Sequence, residues 1–343
     1  MAWHVLSPLR SPAIRIVVLM VVSLAPTPLA AWGSRGHQVV CDVAVRLLES
    51  EDLRWFLQNR GAELGDLCDV PDSRWRRPPY DTVEAEEAHS INPELMRTKL
   101  ADLPLDFASF WSLAVRAKVD PPARAGSLWW RADQFYRLAL ADARRVKISS
   151  READIADFVV DLALLGHFVG DGSMPYHVTA EFNGRKTGHS GIHIYYEVDL
   201  INAQPLNLPM SVFREAGKQK PKPIAASADF ALRLMQSLSL ATLPDIPEIE
   251  KGDDRVIFDR SGKNPERFPA PKVVDAFGDL PVRELARGAA YLAAIWDRIY
   301  VEGGIPSLAS IRSLHHARIP SFVPLDYMKG STPKPGKKKG RRG

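Results

Sequence analysis

The chain has 343 residues, 45% of them hydrophobic and 25% charged, which suits one large globular domain or two modest ones and excludes a chain disordered as a whole. The formal net charge of +4 is unevenly placed: residues 329–343 carry seven basic groups and no acid, and the first 31 residues add two, so subtracting these nine leaves −5 for residues 32–328. The basic balance is a property of the tail and gives no reason to read the body as a nucleic-acid-binding surface.

Residues 1–31 hold Arg10, Arg15, a short apolar run from Ile16 to Leu24 and a small-residue end at Ala30 and Ala31. This reads as a secretory signal peptide whose apolar run is too short to span a bilayer, so the mature chain is expected to be secreted or periplasmic, with no transmembrane segment. Leu29 is larger than the residue preferred three before the cut, and an uncleaved anchor is the alternative. Cys41 and Cys68, the two cysteines, can form one disulfide in that compartment, although spacing alone does not bring them together.

After the cut the chain starts at Trp32, in WGSRGHQVVCDVAVRLL, where Val39, Val43, Leu47 and Leu48 form a helical stripe with His37 in the first turn. A free α-amino group and the Trp32 carbonyl can chelate a cation in a five-membered ring with His37 as a neighbouring ligand; the alternative is a core indole and an exposed His37. LGDLCDVPDSRW reads as a loop carrying Asp66, Asp69 and Asp72, and His89 follows in EEAHSINPE. One of those acids with His89 makes an oxygen–imidazole pair. Residues 101–148 read as core helices, with Trp129, Trp130, Phe135, Tyr136 and Leu140 packed inside rather than stacked on bases.

The stretch HFVGDGSMPYH, residues 167–177, carries the most chemistry. His167 and Asp171 are four apart, so on a helix they share a face and can grip one cation. Gly172 and Pro175 break the helix, which leaves His177 free to serve a second ion. The helix leading in is expected to start at a capping box of Ser149 and Glu152 and carries Ile155, Phe158, Val159, Leu162, Leu165 and Val169 at helical spacing. TGHSGIHIYYEVDL then spaces His189, His193 and Glu197 by fours; His193 and Glu197 repeat the ligand logic, and His189 is either an alternate ligand or a supporting residue. Residues 205–281 read as one helix from Ala225 to Leu240 with long surface loops, followed by a last helix in RELARGAAYLAAIWDRIY. His315 and His316 read as non-ligands, and the tail at 329–343 as a disordered segment able to contact polyanions or anionic membrane surfaces.

Nine nitrogen and oxygen ligands without a thiolate suit zinc and can hold three ions. In order and spacing, WGSRGH, the loop acid followed by His89, HFVGDGSMPYH and the closing HIYYE resemble the superfamily that joins zinc-dependent phospholipase C to the nuclease P-one type of single-strand-specific nuclease. The resemblance runs from Trp32 to about Leu200 and more loosely to the last helix. It implies an all-α fold, a single multi-helix domain over residues 32–328, and a monomer.

It also implies a trinuclear zinc site. Asp72, His89, His167 and Asp171 would hold one ion; Trp32, His37 and Asp171 a second, with Asp171 bridging; His177, His193 and Glu197 the third. Asp72 is taken over Asp69 because its distance from His89 is nearer the superfamily's. Asp72 and Asp171 would then be the catalytic carboxylates, and the implied reaction is in-line attack of an activated water on a phosphodiester. The substrate is a single-stranded nucleic acid or a phospholipid. The start WGSRGH is similar to the nucleases, whereas Glu197 and the gap from His177 to His193 are similar to phospholipase C. Ser90 stands where the nucleases carry a base-stacking aromatic, and Met174 where they carry Gln.

Overall fold

The computed structural model describes residues 32–149, 151–219, 221, 223–225, 227–308 and 320–327. Residues 1–31, read above as a signal peptide, the tail at 329–343, His315 and His316 lie outside the described residues. The protein is all-α. Helix α1 (Gly33–Leu47) buries Val39, Val40, Val43 and Ala44 along one face, as its stripe requires. Two short helices follow, α2 (Glu51–Gln58) and α3 (Gly61–Cys68), and a π-helical turn covers Pro71–Trp75. The Asp-rich stretch is therefore helical, against the loop expected: Leu64, Leu67 and Cys68 are buried on one side, and Pro71 opens the turn at the position where its missing N–H costs nothing.

Short α4 (Val83–Glu87) and α5 (Phe107–Arg116) lead to the two long central helices, α6 (Leu128–Ser149) and α7 (Glu152–Gly172). Trp129, Trp130 and Phe135 are fully buried in α6, as core packing demands. The stripe Ile155, Phe158, Val159, Leu162, Leu165 and Val169 is fully buried in α7, each such side chain worth roughly 1.5–3 kcal/mol. From Leu162 onward every residue of α7 is buried, so its C-terminal half is enclosed on all sides. The expected capping box is absent. Ser149 closes α6, its single O–H within reach of both Arg145 O and the Asp154 carboxylate, and Arg151 occupies the N-cap of α7 without a side-chain cap. Acids at Glu152 and Asp154 suit that helix start, and Arg151 pairs with Asp154.

Beyond α7 come α8 (Ile192–Ile194), π-helical Tyr195–Leu200, α9 (Ile201–Ala203) and α10 (Leu208–Ala216). Helix α11 (Phe230–Thr242) starts five residues later than expected, because residues 225–229 offer only small and polar side chains. The supposed loops beyond it contain α12 (Ile246–Asp254) and a small antiparallel hairpin of β1 (Ile257–Asp259) and β2 (Glu266–Arg267). Helix α13 (Leu280–Glu302) buries Leu285, Ala289, Leu292, Ile295, Trp296 and Ile299 against α1, α7 and α10. Among the described residues no helix is long and apolar enough to cross a membrane.

Cys41 of α1 and Cys68, the last residue of α3, form a disulfide across 27 positions. It ties together two of the helices that enclose the end of α7.

A buried histidine–carboxylate centre at the end of the central helix

His37 comes from α1, Asp72 from the π turn, His89 from the segment after α4, and His167 and Asp171 from the enclosed end of α7. His177 sits on the 3-10 turn Pro175–His177, His193 on α8, and Glu197 in the π-helical segment. All eight are buried. They form three groups able to hold a metal ion: His37, Asp72 and His167; His89, His167 and Asp171; His177, His193 and Glu197.

The spacing within each group tests that fit. Zinc bonds of about 2.0–2.1 Å place neighbouring atoms of a tetrahedral ligand set about 3.3 Å apart. Asp171 Oδ2 lies 3.0 Å from His89 Nδ1 and 3.4 Å from His167 Nε2, and Asp171 Oδ1 lies 3.5 Å from His37 Nε2. Asp72 Oδ1 is 3.5 Å from His89 Nδ1 and 3.8 Å from His167 Nε2. In the third group His177 Nε2 is 3.1 Å from His193 Nε2 and 3.6 Å from Glu197 Oε1. These are separations of ligand atoms facing a common centre.

Tautomers point the same way. The Nδ1–H of His167 donates to Cys68 O at 2.7 Å, and that of His177 donates to His89 O at 2.7 Å, so both Nε2 atoms present lone pairs to the groups. Asp171 Oδ1 is buried with no hydrogen-bond partner among the described residues. Burial, with Asp72 and Glu197 nearby, pushes the Asp171 carboxyl well above its usual range. Burial likewise pushes His89 and His167 well below theirs, helped by Arg76 in the first case and by His37 in the second. Burial alone would raise Glu197, but His193 and His177 outweigh it and hold the carboxylate at about 2. Three buried carboxylates thus face buried imidazoles, and Arg76, the guanidinium beside them, divides itself between Asp72 at 3.2 Å and Glu86. Such an arrangement costs several kcal/mol per uncompensated charge and is relieved by divalent cations.

Open points of the sequence resolve as follows. Of Asp66, Asp69 and Asp72, Asp72 alone comes within 4 Å of these imidazoles. His37 is fully buried, its ring stacked on His167 at 4.0 Å, which removes the exposed alternative. Trp32 is a core indole, donating to Gly170 O at 2.8 Å and Ser173 Oγ at 3.2 Å. Its backbone is left-handed at φ 31°, and its carbonyl accepts from Gly36. Gly170 is required where it stands: a Cβ there would lie 2.9 Å from His37 Nδ1. His189 is a supporting residue. Its Nδ1 meets Asp253 Oδ2 at 2.9 Å, and Arg267 binds both Asp253 and the His189 carbonyl, which fixes the loop entering α8.

His89, His177 and His193 line one cleft of about 260 Å³. Leu95, Tyr176 and Phe182 make its apolar wall; Phe182 is 37% exposed and packs edge-on against His193 at 5.9 Å. The polar wall carries Arg76, Glu87, Ser90, Asn92 and Arg124. Glu87 receives weak hydrogen bonds from Ser90 at 3.3 Å and Asn92 at 3.4 Å, and burial pushes its carboxyl up to about 7. Apart from Ser90, these residues carry no local sequence signal, because their only shared property is the cavity. Arg76 is the other exception, since it lies one helical turn from Asp72.

No family model matches the chain. A probable serine protease from Bradyrhizobium tropiciagri is 22% identical over 359 residues, an alignment that covers 79% of this chain and 44% of the relative. The chain thus spans less than half the length of the curated relative it matches.

Proposed function

We propose that the protein is an exported zinc-dependent phosphodiester hydrolase that cleaves single-stranded DNA or RNA, of the endonuclease and 3′-nucleotidase type. The observation that carries this reading is a set of three buried histidine–carboxylate groups, two of which open onto one cleft, one through His89 and the other through His177 and His193. His37, Asp72, His89, His167 and Asp171 would hold two zinc ions, with Asp171 facing both, and His177, His193 and Glu197 a third. The chemistry zinc supplies when bound is a nucleophilic water near neutral pH and compensation of charge on phosphoryl oxygens. The chain's own part is orientation: the carbonyls of Cys68 and His89 fix two imidazoles, and the enclosed end of α7 keeps bulk water from Asp171. A cut before Trp32 removes the φ torsion of that residue, relieving a left-handed cost of roughly 1–2 kcal/mol, and frees an amino group one turn ahead of His37 in sequence.

Hydrolysis is the one property this reading shares with the name of the Bradyrhizobium relative. A serine nucleophile would need an imidazole base. The hydrogen bonds of His89, His167, His177, His189 and His193 run to carboxylates, backbone carbonyls and one another. A phospholipase C reading has its own support in the apolar wall of Leu95, Tyr176 and Phe182. Metal content and zinc-dependent turnover of single-stranded DNA beside phosphatidylcholine, on protein beginning at Trp32, test the assignment. About three zinc per chain with turnover of DNA is the expected result. Fewer than two zinc per chain overturns the zinc centre; turnover of lipid alone reverses the substrate. Zinc without any turnover would leave a non-catalytic zinc-binding domain.

A further inference from the structure

Arg124 lines the cleft as the exposed residue of the 3-10 turn Pro122–Ala125, and among the described residues it forms no ion pair within 4 Å. That sets it apart from Arg76 on the same wall, which is spent on Asp72 and Glu86. The turn is fastened to the strand-like segment that follows His89. Asn92 N donates to Ala125 O and Asn92 Nδ2 to Arg124 O, at 2.9 and 2.8 Å, and Leu128 N donates to Ser90 O at 3.1 Å. Gly126 closes the contact at φ +86°, where a Cβ would lie 2.2 Å from Ser90 O, so only glycine lets the two backbones approach this closely. The backbone that carries Arg124 is therefore held at a fixed register from His89, and the residue lines the same cleft as His89, His177 and His193.

We infer that Arg124 binds a phosphate flanking the one being cleaved, which makes the cleft selective for strands with more than one phosphodiester. The inference rests on the nuclease reading above. An unpaired guanidinium offers a planar fork that matches phosphate oxygens in a bidentate manner. The buried carboxylate groups account for a single scissile phosphate, and a second anion on the same wall is a feature of a strand. The phosphodiester of a choline phospholipid has no second phosphate to offer at that position.

The test is steady-state hydrolysis by the zinc-loaded protein and by Arg124→Gln, with thymidine dinucleoside monophosphate and a thymidine pentanucleotide as substrates. Arg124→Gln is expected to lower the ratio of kcat/KM for the pentanucleotide to that for the dinucleotide about tenfold, mainly through KM. The slope of log KM against log salt for the pentanucleotide is expected to fall by about 0.7, the single-strand value for one phosphate contact. Arg124→Lys, which keeps the charge, is expected to recover the salt slope but only part of the ratio. A proportional loss on both substrates, or an unchanged salt slope, overturns the assignment of Arg124 alone. Wild-type protein that hydrolyses neither oligonucleotide overturns the nuclease reading and this assignment with it.

Discussion

Replacing both cysteines, Cys41→Ser with Cys68→Ser, removes a link that closes 27 positions of chain. The chain-entropy relation for a loop of that length gives about 3.5 kcal/mol of lost stability at 25 °C. For a domain of this size each kcal/mol moves Tm by about 2 °C, so scanning calorimetry of the zinc-loaded protein should show a fall of roughly 7 °C. The link also bears on the proposed metal centre, because Cys68 O accepts the Nδ1–H of His167 at 2.7 Å and so fixes its tautomer. Loosening that carbonyl should weaken zinc binding about 10–100-fold, the range seen when groups behind a ligand are lost. Competition with a chromogenic chelator reads that change on the same samples. A Tm shift below 2 °C would refute the entropic argument. A full shift with unaltered zinc affinity would refute the coupling between the disulfide and His167.

Asp171 faces imidazoles of two groups, whereas Glu197 faces only His177 and His193. Asp171→Ala should therefore lose more zinc per chain, measured by elemental analysis, and more activity than Glu197→Ala; equal losses would argue against a bridging carboxylate. Away from the centre, Asp142 and Asp161 share a hydrogen bond between α6 and α7, and burial with mutual repulsion pushes Asp161 up to about 8. A carboxyl raised in the folded state stabilises fully below about pH 4, and that contribution is lost as pH rises towards 8. Asp161→Asn should thus gain Tm over wild type between pH 5 and pH 8.5, and a difference that stays constant with pH would contradict the shared proton.

Much of the centre was legible in local spacing. His167 with Asp171, and His193 with Glu197, are one turn apart, and helical periodicity alone puts such pairs on a common face. The apolar stripe of α7 was likewise a local signal, and every member is buried. The capping box failed because Ser149 was already engaged in the last turn of α6, a competition that a four-residue pattern does not register. The loop reading of the Asp-rich stretch failed because its polar composition masked Leu64, Leu67 and Cys68, whose burial against neighbouring helices drives the turn.

What the sequence by itself determined is the set of residue types and their local pairings: a helix-patterned chain with nine candidate nitrogen and oxygen ligands ordered along it. Which of these residues meet was decided only by tertiary packing. His89 joins Asp171 across 82 positions, Cys41 joins Cys68, and His189 turns to Asp253 rather than to the centre. The cleft belongs to the same class, since Arg124 and Phe182 have no relation in sequence and share only a wall. The physical reason is range: backbone hydrogen bonding fixes neighbours within a turn, whereas burial of apolar faces brings distant turns together and leaves the polar residues at their ends to converge.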